Sequence, residues 1–179
     1  MKHVMVIFAI VLMGIVIGCG GQTPQDQTQA QPKQVDYAAI TALLSQQQME
    51  YAQAWNNKDM NKIGQIWAND DDITIWGPAV RDRVQGWEGP NGVKAWYEGA
   101  MGSMDTVDFK IHDLLIKVST DGTAAVVTYY VENDFVDIDG NKGKMTPRVT
   151  VVKELRDGQW KQIHGDASYS IEEVEAMQQ

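Results

Sequence analysis

Cysteine is almost missing from this chain: Cys19 is the only one in 179 residues. No internal disulfide can form, and no CxxC metal or redox site exists. Basic residues are also scarce, with 15 Lys and Arg against 24 Asp and Glu and a formal net charge of −9. Phosphates need clustered Lys and Arg, so nucleic acid is excluded as a partner. A polybasic grip on anionic lipid is excluded for the same reason. The longest apolar run, Val4–Ile17, has 14 residues with Gly14 inside it, whereas spanning lipid takes about 20. There is no Ser-x-x-Lys, no Gly-x-Ser-x-Gly and no phosphate-binding glycine loop. Asp137–Asn141 has the look of a calcium loop. It fails as one, because Lys142 stands where the loop needs Gly and Arg148 where it needs Glu. No metal and no cofactor is expected.

What is present begins with an address. Lys2 and His3 precede the apolar run and Gly18-Cys19 follows it, the pattern of a secretion signal over residues 1–18. Its removal leaves about 160 residues and a net charge near −10, enough for one domain with a real core. Val16-Ile17-Gly18-Cys19 resembles the bacterial lipobox. The resemblance implies cleavage before Cys19, acylation of its thiol, and a membrane-anchored lipoprotein outside the cytoplasm. Gly20–Gln34 holds two Pro, six Gln and no large apolar residue, so it reads as a flexible tether. The expected organisation is a signal at 1–18, the lipidated Cys and tether at 19–35, a folded domain at 36–172 and a tail at 173–179.

From Tyr37 the pattern is helical. Ile40, Leu43, Leu44, Gln47, Tyr51, Ala54 and Trp55 recur at steps of three and four. Asp59 is placed to cap a second helix carrying Met60, Ile63, Ile66 and Trp67. Ile73–Trp76 reads as a short strand and Gly77–Gly86 as a loop. Pro90–Met101 reads as a third helix. After it the chain turns to β. Val107, Phe109 and Ile111 alternate with polar residues, and three further strands cover Thr123–Phe135, Lys144–Arg156 and Gln159–Ser170. Asp157-Gly158 predicts a two-residue hairpin turn. Ser170 and Glu173 have the spacing of a capping box for a short terminal helix. Helices grouped before an antiparallel meander predict an α+β domain: a strongly curved, mostly antiparallel sheet wrapped around three N-terminal helices.

Specific segments then resemble a known family. They are Tyr51–Asp59 (YAQAWNNKD), Asp70–Ile75 (DDDITI), Gly86–Gly89 (GWEG), and the pair Arg148–Val152 (RVTVV) and Arg156–His164 (RDGQWKQIH) followed by Ser168. Together they are similar to SnoaL-like domains of the nuclear transport factor 2-like superfamily, which includes ketosteroid isomerases and a kinase association domain. The resemblance covers roughly residues 37–170. It implies a cone-shaped fold, often a homodimer through the sheet, and a small-molecule cavity inside the cone.

The candidate site follows from strand alternation. Arg148, Thr150 and Val152 share one face, and Trp160, Gln162, His164 and Asp166 share another. With Asp157-Gly158 as the turn, residue 148 falls opposite 167, which brings Arg148 near Asp166 and within reach of His164. In the resembling family these faces line the cavity. Arg148 then offers a fork for a carboxylate, and His164 or Asp166 a general base next to a carbonyl. An Arg148–Asp166 ion pair with no ligand is the alternative. Tyr51, Trp55, Trp76 and Trp87 are the expected aromatic walls, and Trp67 and Trp96 the expected core. The expectation is a pocket for a small apolar or acidic molecule. Two alternatives stay open: a cofactor-free isomerase or dehydratase, and a self-association module.

Overall fold

The computed structural model describes residues 34–78, 83–170 and Val174. The expected signal, Cys19, most of the tether and most of the tail lie outside the described residues.

Three helices come first. α1 runs Tyr37–Asn56, opened by Asp36, whose carboxylate accepts from the Ala39 N–H at 2.9 Å. Its buried side carries Leu44, Gln48, Tyr51, Ala52 and Trp55, spaced by three and four. α2, Met60–Ile66, is capped by Asp59 as its sequence predicts, with Lys62 N–H donating at 3.0 Å. Between them Lys58 adopts a positive φ of 52° and sends its ammonium to the carbonyl oxygens of Met104 and Asp105. That contact pins the α1–α2 turn to the sheet. α3 spans Val93–Gly102. It starts later than the proline suggests, because Pro90–Gly92 are spent on a turn.

The strands are β1 (Thr74–Trp76), β2 (Val84–Gln85), β3 (Met104–Val118), β4 (Ala124–Asp137), β5 (Lys142–Met145), β6 (Arg148–Arg156) and β7 (Gln159–Ser168). They form one seven-stranded sheet in the order β2-β1-β7-β6-β4-β3, with β5 also paired to β4. Among these strands β1–β7 is the one parallel pair, and Trp67 adds an isolated parallel bridge to Gln162 of β7. Beyond shifts of one or two residues at strand ends, the sheet departs from expectation at two places. The stretch predicted as one strand from Lys144 breaks at Thr146-Pro147, since Pro147 has no N–H for the ladder; its carbonyl instead accepts from Val131 N–H at 3.0 Å. Val84–Gln85, expected in a loop, pairs with β1.

Side-chain parity decides what faces the helices. On β4 the buried set is Ala125, Val127, Tyr129, Val131 and Asn133, while Val126 and Tyr130 are exposed. On β6 Val151 and Lys153 are buried. The helices cover that side, and Ile63, Trp67, Val93, Tyr97 and Val127 are fully buried in the resulting core. The hairpin turn at Asp157-Gly158 has positive φ at both residues, the signature of a type I′ turn. Arg156 beside it pairs with Asp70, Asp72 and Glu154, tying the hairpin to the segment before β1.

One irregularity controls the rest. From Arg156↔Gln159 to Lys153↔Gln162 the β6–β7 register is that of an unbroken hairpin. The next pair is Val152↔His164, so Ile163 is an extra residue in β7. A bulge of this kind inverts parity beyond it.

Candidate functional site

The bulge separates the two ends of β7. Before it Gln162 faces the helices; after it Gly165 and Ala167 do, opposite Val151 and Val149. His164 and Asp166 therefore fall in register with Val152 and Thr150, on the outer face of the sheet. Arg148 pairs with Ser168 rather than Ala167, is exposed, and shares that outer face with Tyr130. The expected cavity face of Arg148, Thr150 and Val152 is thus the outer one, and the inner one is Val149, Val151 and Lys153. Among the described residues Arg148 and Asp166 form no ion pair, so the pairing alternative is not realised either.

On the outer face His164 has defined partners. Its Nδ1 lies 2.7 Å from the Thr74 hydroxyl, and its ring meets Trp76 edge to face at 6.1 Å. Both contacts come from the parallel register of β1 on β7, which sets Thr74 beside His164 and Trp76 beside Asp166.

Inside the cone lies a cavity of about 260 Å³. α1 supplies Tyr51 and Trp55, α3 Trp96 and Tyr97, and β3 Phe109. From the far strands come Tyr129, Asn133, Val149, Val151 and Gln162. Trp55 stacks on Phe109 at 5.5 Å with the rings nearly parallel, and Trp96 closes on Trp55 edge to face at 6.5 Å. Gly77 belongs to this wall because of Trp96: a β-carbon at residue 77 would come within 2.5 Å of the indole. Gly165 leaves the β7 backbone open to the cavity, and Asp166 reaches the cavity's edge between Gly165 and Ala167. Asp166 is the one charged residue touching the cavity among the described residues.

Of the aromatics expected to line a pocket, Tyr51, Trp55 and Trp76 touch the cavity, and Trp87 does not. Trp87 is 5 % exposed and packs against Gly64 of α2. Trp96, expected in the core, is a cavity wall. Tyr97, Asn133 and Gln162 also line the cavity without having been singled out. Tyr97 has a readable signal, its spacing from Val93 and Ala100 on α3. Asn133 continues the inward alternation of β4 from Tyr129. Gln162 carries the right parity only because it precedes the bulge.

Two of the cavity's phenols belong to a buried chain of three side chains. The Trp67 indole N–H donates to the Tyr97 hydroxyl at 3.1 Å, and the Tyr97 and Tyr51 hydroxyls are 2.8 Å apart. Three hydrogens share two bonds, so one phenolic hydrogen of the Tyr51–Tyr97 pair is left over. Burial pushes the Tyr51 phenol up and the Tyr97 and Tyr129 phenols well up from their ordinary values. All three stay protonated across the neutral range. Behind the cavity, Lys153 is fully buried and pairs with Gln162 in the ladder. Its ammonium donates to the Gln47 side-chain oxygen at 2.8 Å, and burial brings its pKa down to about 7.

The family model of the SnoaL-like domain matches residues 49–163, from the middle of α1 to the bulge of β7. The chain belongs to the SnoaL-like family. No curated protein matches it significantly. Solved structures share its fold. One is a nuclear transport factor 2-like superfamily protein from Salmonella enterica serovar Typhimurium, 19% identical, covering 73% of this chain and 91% of that one, with a TM-score of 0.66. Another is a candidate dehydratase of the same family from Streptomyces avermitilis, 16% identical, covering 75% and 98%, with a TM-score of 0.60. The association domain of a calmodulin-dependent kinase from C. elegans is 17% identical, covers 74% and 96%, and has a TM-score of 0.55. At these identities the likeness is one of fold. SnoaL-like and related domains serve several activities on one architecture, so the reading of this member rests on its own cavity.

Proposed function

We propose that this SnoaL-like protein binds a small, uncharged, mainly apolar molecule in its conical cavity, at a membrane to which acylated Cys19 anchors it outside the cytoplasm. The observation that carries the binding reading is the cavity wall: about 260 Å³ lined by Tyr51, Trp55, Trp96, Tyr97, Phe109 and Tyr129, with no Lys or Arg among the described residues that line it. A carboxylate entering such a site would lose its hydration without gaining a cation. Arg148, the reason to expect an acidic ligand, lies on the other face. Calorimetric titration of the full chain with naphthalene and 2-naphthoate tests this. Naphthalene binds and 2-naphthoate does not; the reverse order removes the reading. For the anchor, wild-type cells fed a palmitate analogue label this protein, and Cys19→Ser abolishes the label.

A second reading, self-association, is favoured by the outer face of the sheet. Leu115, Val126 and Tyr130 are 52 %, 42 % and 50 % exposed there. The likeness to an association domain supports the same reading. Light scattering of the full chain reports a dimer, and Tyr130→Glu reports a monomer with the cavity still functional. The enzyme alternative, a cofactor-free isomerase or dehydratase, keeps Asp166 at the cavity's edge and the spare phenolic hydrogen as its candidate groups. His164 as placed serves Thr74 instead.

A further inference from the structure

Native domains leave few buried polar side-chain atoms unpaired, and each such atom calls for a partner. Among the described residues four side chains carry them: Gln48, Trp55, Asn133 and Gln162. Three of those four line the same cavity. Trp55 is 6 % exposed, Asn133 3 % and Gln162 1 %, so bulk water does not serve them.

Their arrangement has a direction. Phe109 pairs with Asn133 across β3 and β4, and the Trp55 indole stacks on the Phe109 ring. Asn133 therefore lies beside Phe109 and Met145 at one end of the cavity. The Trp55 indole N–H is turned to the Tyr51 phenol oxygen, so the unpaired atom left at this end of the cavity is the Asn133 carboxamide oxygen, which only accepts. A ligand hydroxyl is a small uncharged group that can donate to it. Gln162 presents another unpaired oxygen, in the row of Lys153 and Ala125 at the other end of the sheet. The rest of the wall is apolar apart from the phenols of Tyr51, Tyr97 and Tyr129, Ser103, and Asp166 at its edge.

We propose that the cavity selects an uncharged molecule with a flat apolar body bearing a hydroxyl group, the hydroxyl donating to the Asn133 carboxamide oxygen. This inference rests on the binding reading above and names the ligand class of that same site. Asn133 is then a specificity-determining residue. Its substitution changes which molecules bind, because its carboxamide lacks any other partner for its oxygen.

The test is a calorimetric titration of the full chain, against a detergent blank, with 2-naphthol, 2-methoxynaphthalene and naphthalene. 2-Methoxynaphthalene keeps the oxygen acceptor and loses the donated hydrogen. The expected result is 2-naphthol binding at least about tenfold tighter than 2-methoxynaphthalene, with Asn133→Leu removing that preference while naphthalene still binds. Equal affinities for 2-naphthol and 2-methoxynaphthalene overturn the hydroxyl inference and leave the apolar pocket standing; cavity water then satisfies these groups. No heat with any of the three overturns the binding reading and this inference with it. Should Asn133→Leu fail to fold, the three-probe comparison on the wild-type chain decides alone.

Discussion

Val152 pairs with His164 where an unbroken hairpin would pair it with Ile163. That single offset turns His164 to the outer face, leaves Asp166 only at the cavity's edge, and puts Gly165 and Ala167 on its wall. His164→Ala accordingly changes naphthalene affinity less than about twofold. It costs roughly 0.5–1.5 kcal/mol for the lost Thr74 hydrogen bond. Arg148→Met, also on the outer face, leaves both affinity and stability within about 0.5 kcal/mol of wild type. Titration calorimetry and urea melts check both; a loss of binding in either variant returns these residues to the cavity.

The Trp67–Tyr97–Tyr51 chain predicts unequal costs for two similar changes. Tyr97→Phe removes the acceptor of a fully buried indole N–H and should cost about 1–3 kcal/mol or more. Tyr51→Phe breaks the bond between the two hydroxyls and removes the phenol oxygen that faces the Trp55 indole N–H, but leaves Trp67 served. Its cost should stay near 0.5–1.5 kcal/mol. Chemical denaturation ranks the two, and equal values would show that the chain has no polarity.

Gly77 and Trp96 predict a cavity-filling variant. Gly77→Ala forces the Trp96 indole away from the new methyl group and toward the cavity. Overpacking of this kind costs about 1–3 kcal/mol, and ligand affinity falls with it. Trp96→Leu on the same background restores the stability, which double-mutant melts measure.

Lys153 gives stability an alkaline maximum. Its folded pKa is near 7, against 10.5 as the ordinary value, because burial penalises the ammonium. Between those values the unfolded chain binds the extra proton. Stability therefore rises with pH, by up to about 1.4 kcal/mol per unit. Above pH 10 the trend reverses, since Tyr51, Tyr97 and Tyr129 ionise in the unfolded chain first. Denaturant melts from pH 6 to 11 should show a rise and then a fall. Lys153→Met should stabilise the domain at pH 7 and flatten the rise; a curve unchanged by the substitution rejects the assignment.

Much of the fold was legible because its signals are local. Asp36 and Asp59 stand where helix caps belong, α1 repeats its apolar face at helical spacing, and Asp157-Gly158 sets the hairpin. From Arg156 to Lys153 the expected pairing and the observed pairing coincide. The site was less legible because its geometry depends on one non-local event. A strand's alternation identifies two sets of residues but not which set faces inward, and the bulge at Ile163 exchanges them halfway along β7. Nothing in GQWKQIHGD marks Ile163 as the extra residue. The same limit applied to Trp87, where the loop position suggested a pocket wall and packing on Gly64 buried it elsewhere.

The parallel pairing of β1 with β7 joins Thr74 to His164 and Trp76 to Asp166 across about ninety residues of chain. The cavity floor therefore cannot close until the last strand has been synthesised. At 5–20 residues per second the helices and β1 wait several seconds with their aromatic faces uncovered. Newly made chains of this protein have an early, sticky half that depends on a late one. A ribosome stalled before residue 164 would release a species prone to aggregation, with the helices present and the floor missing.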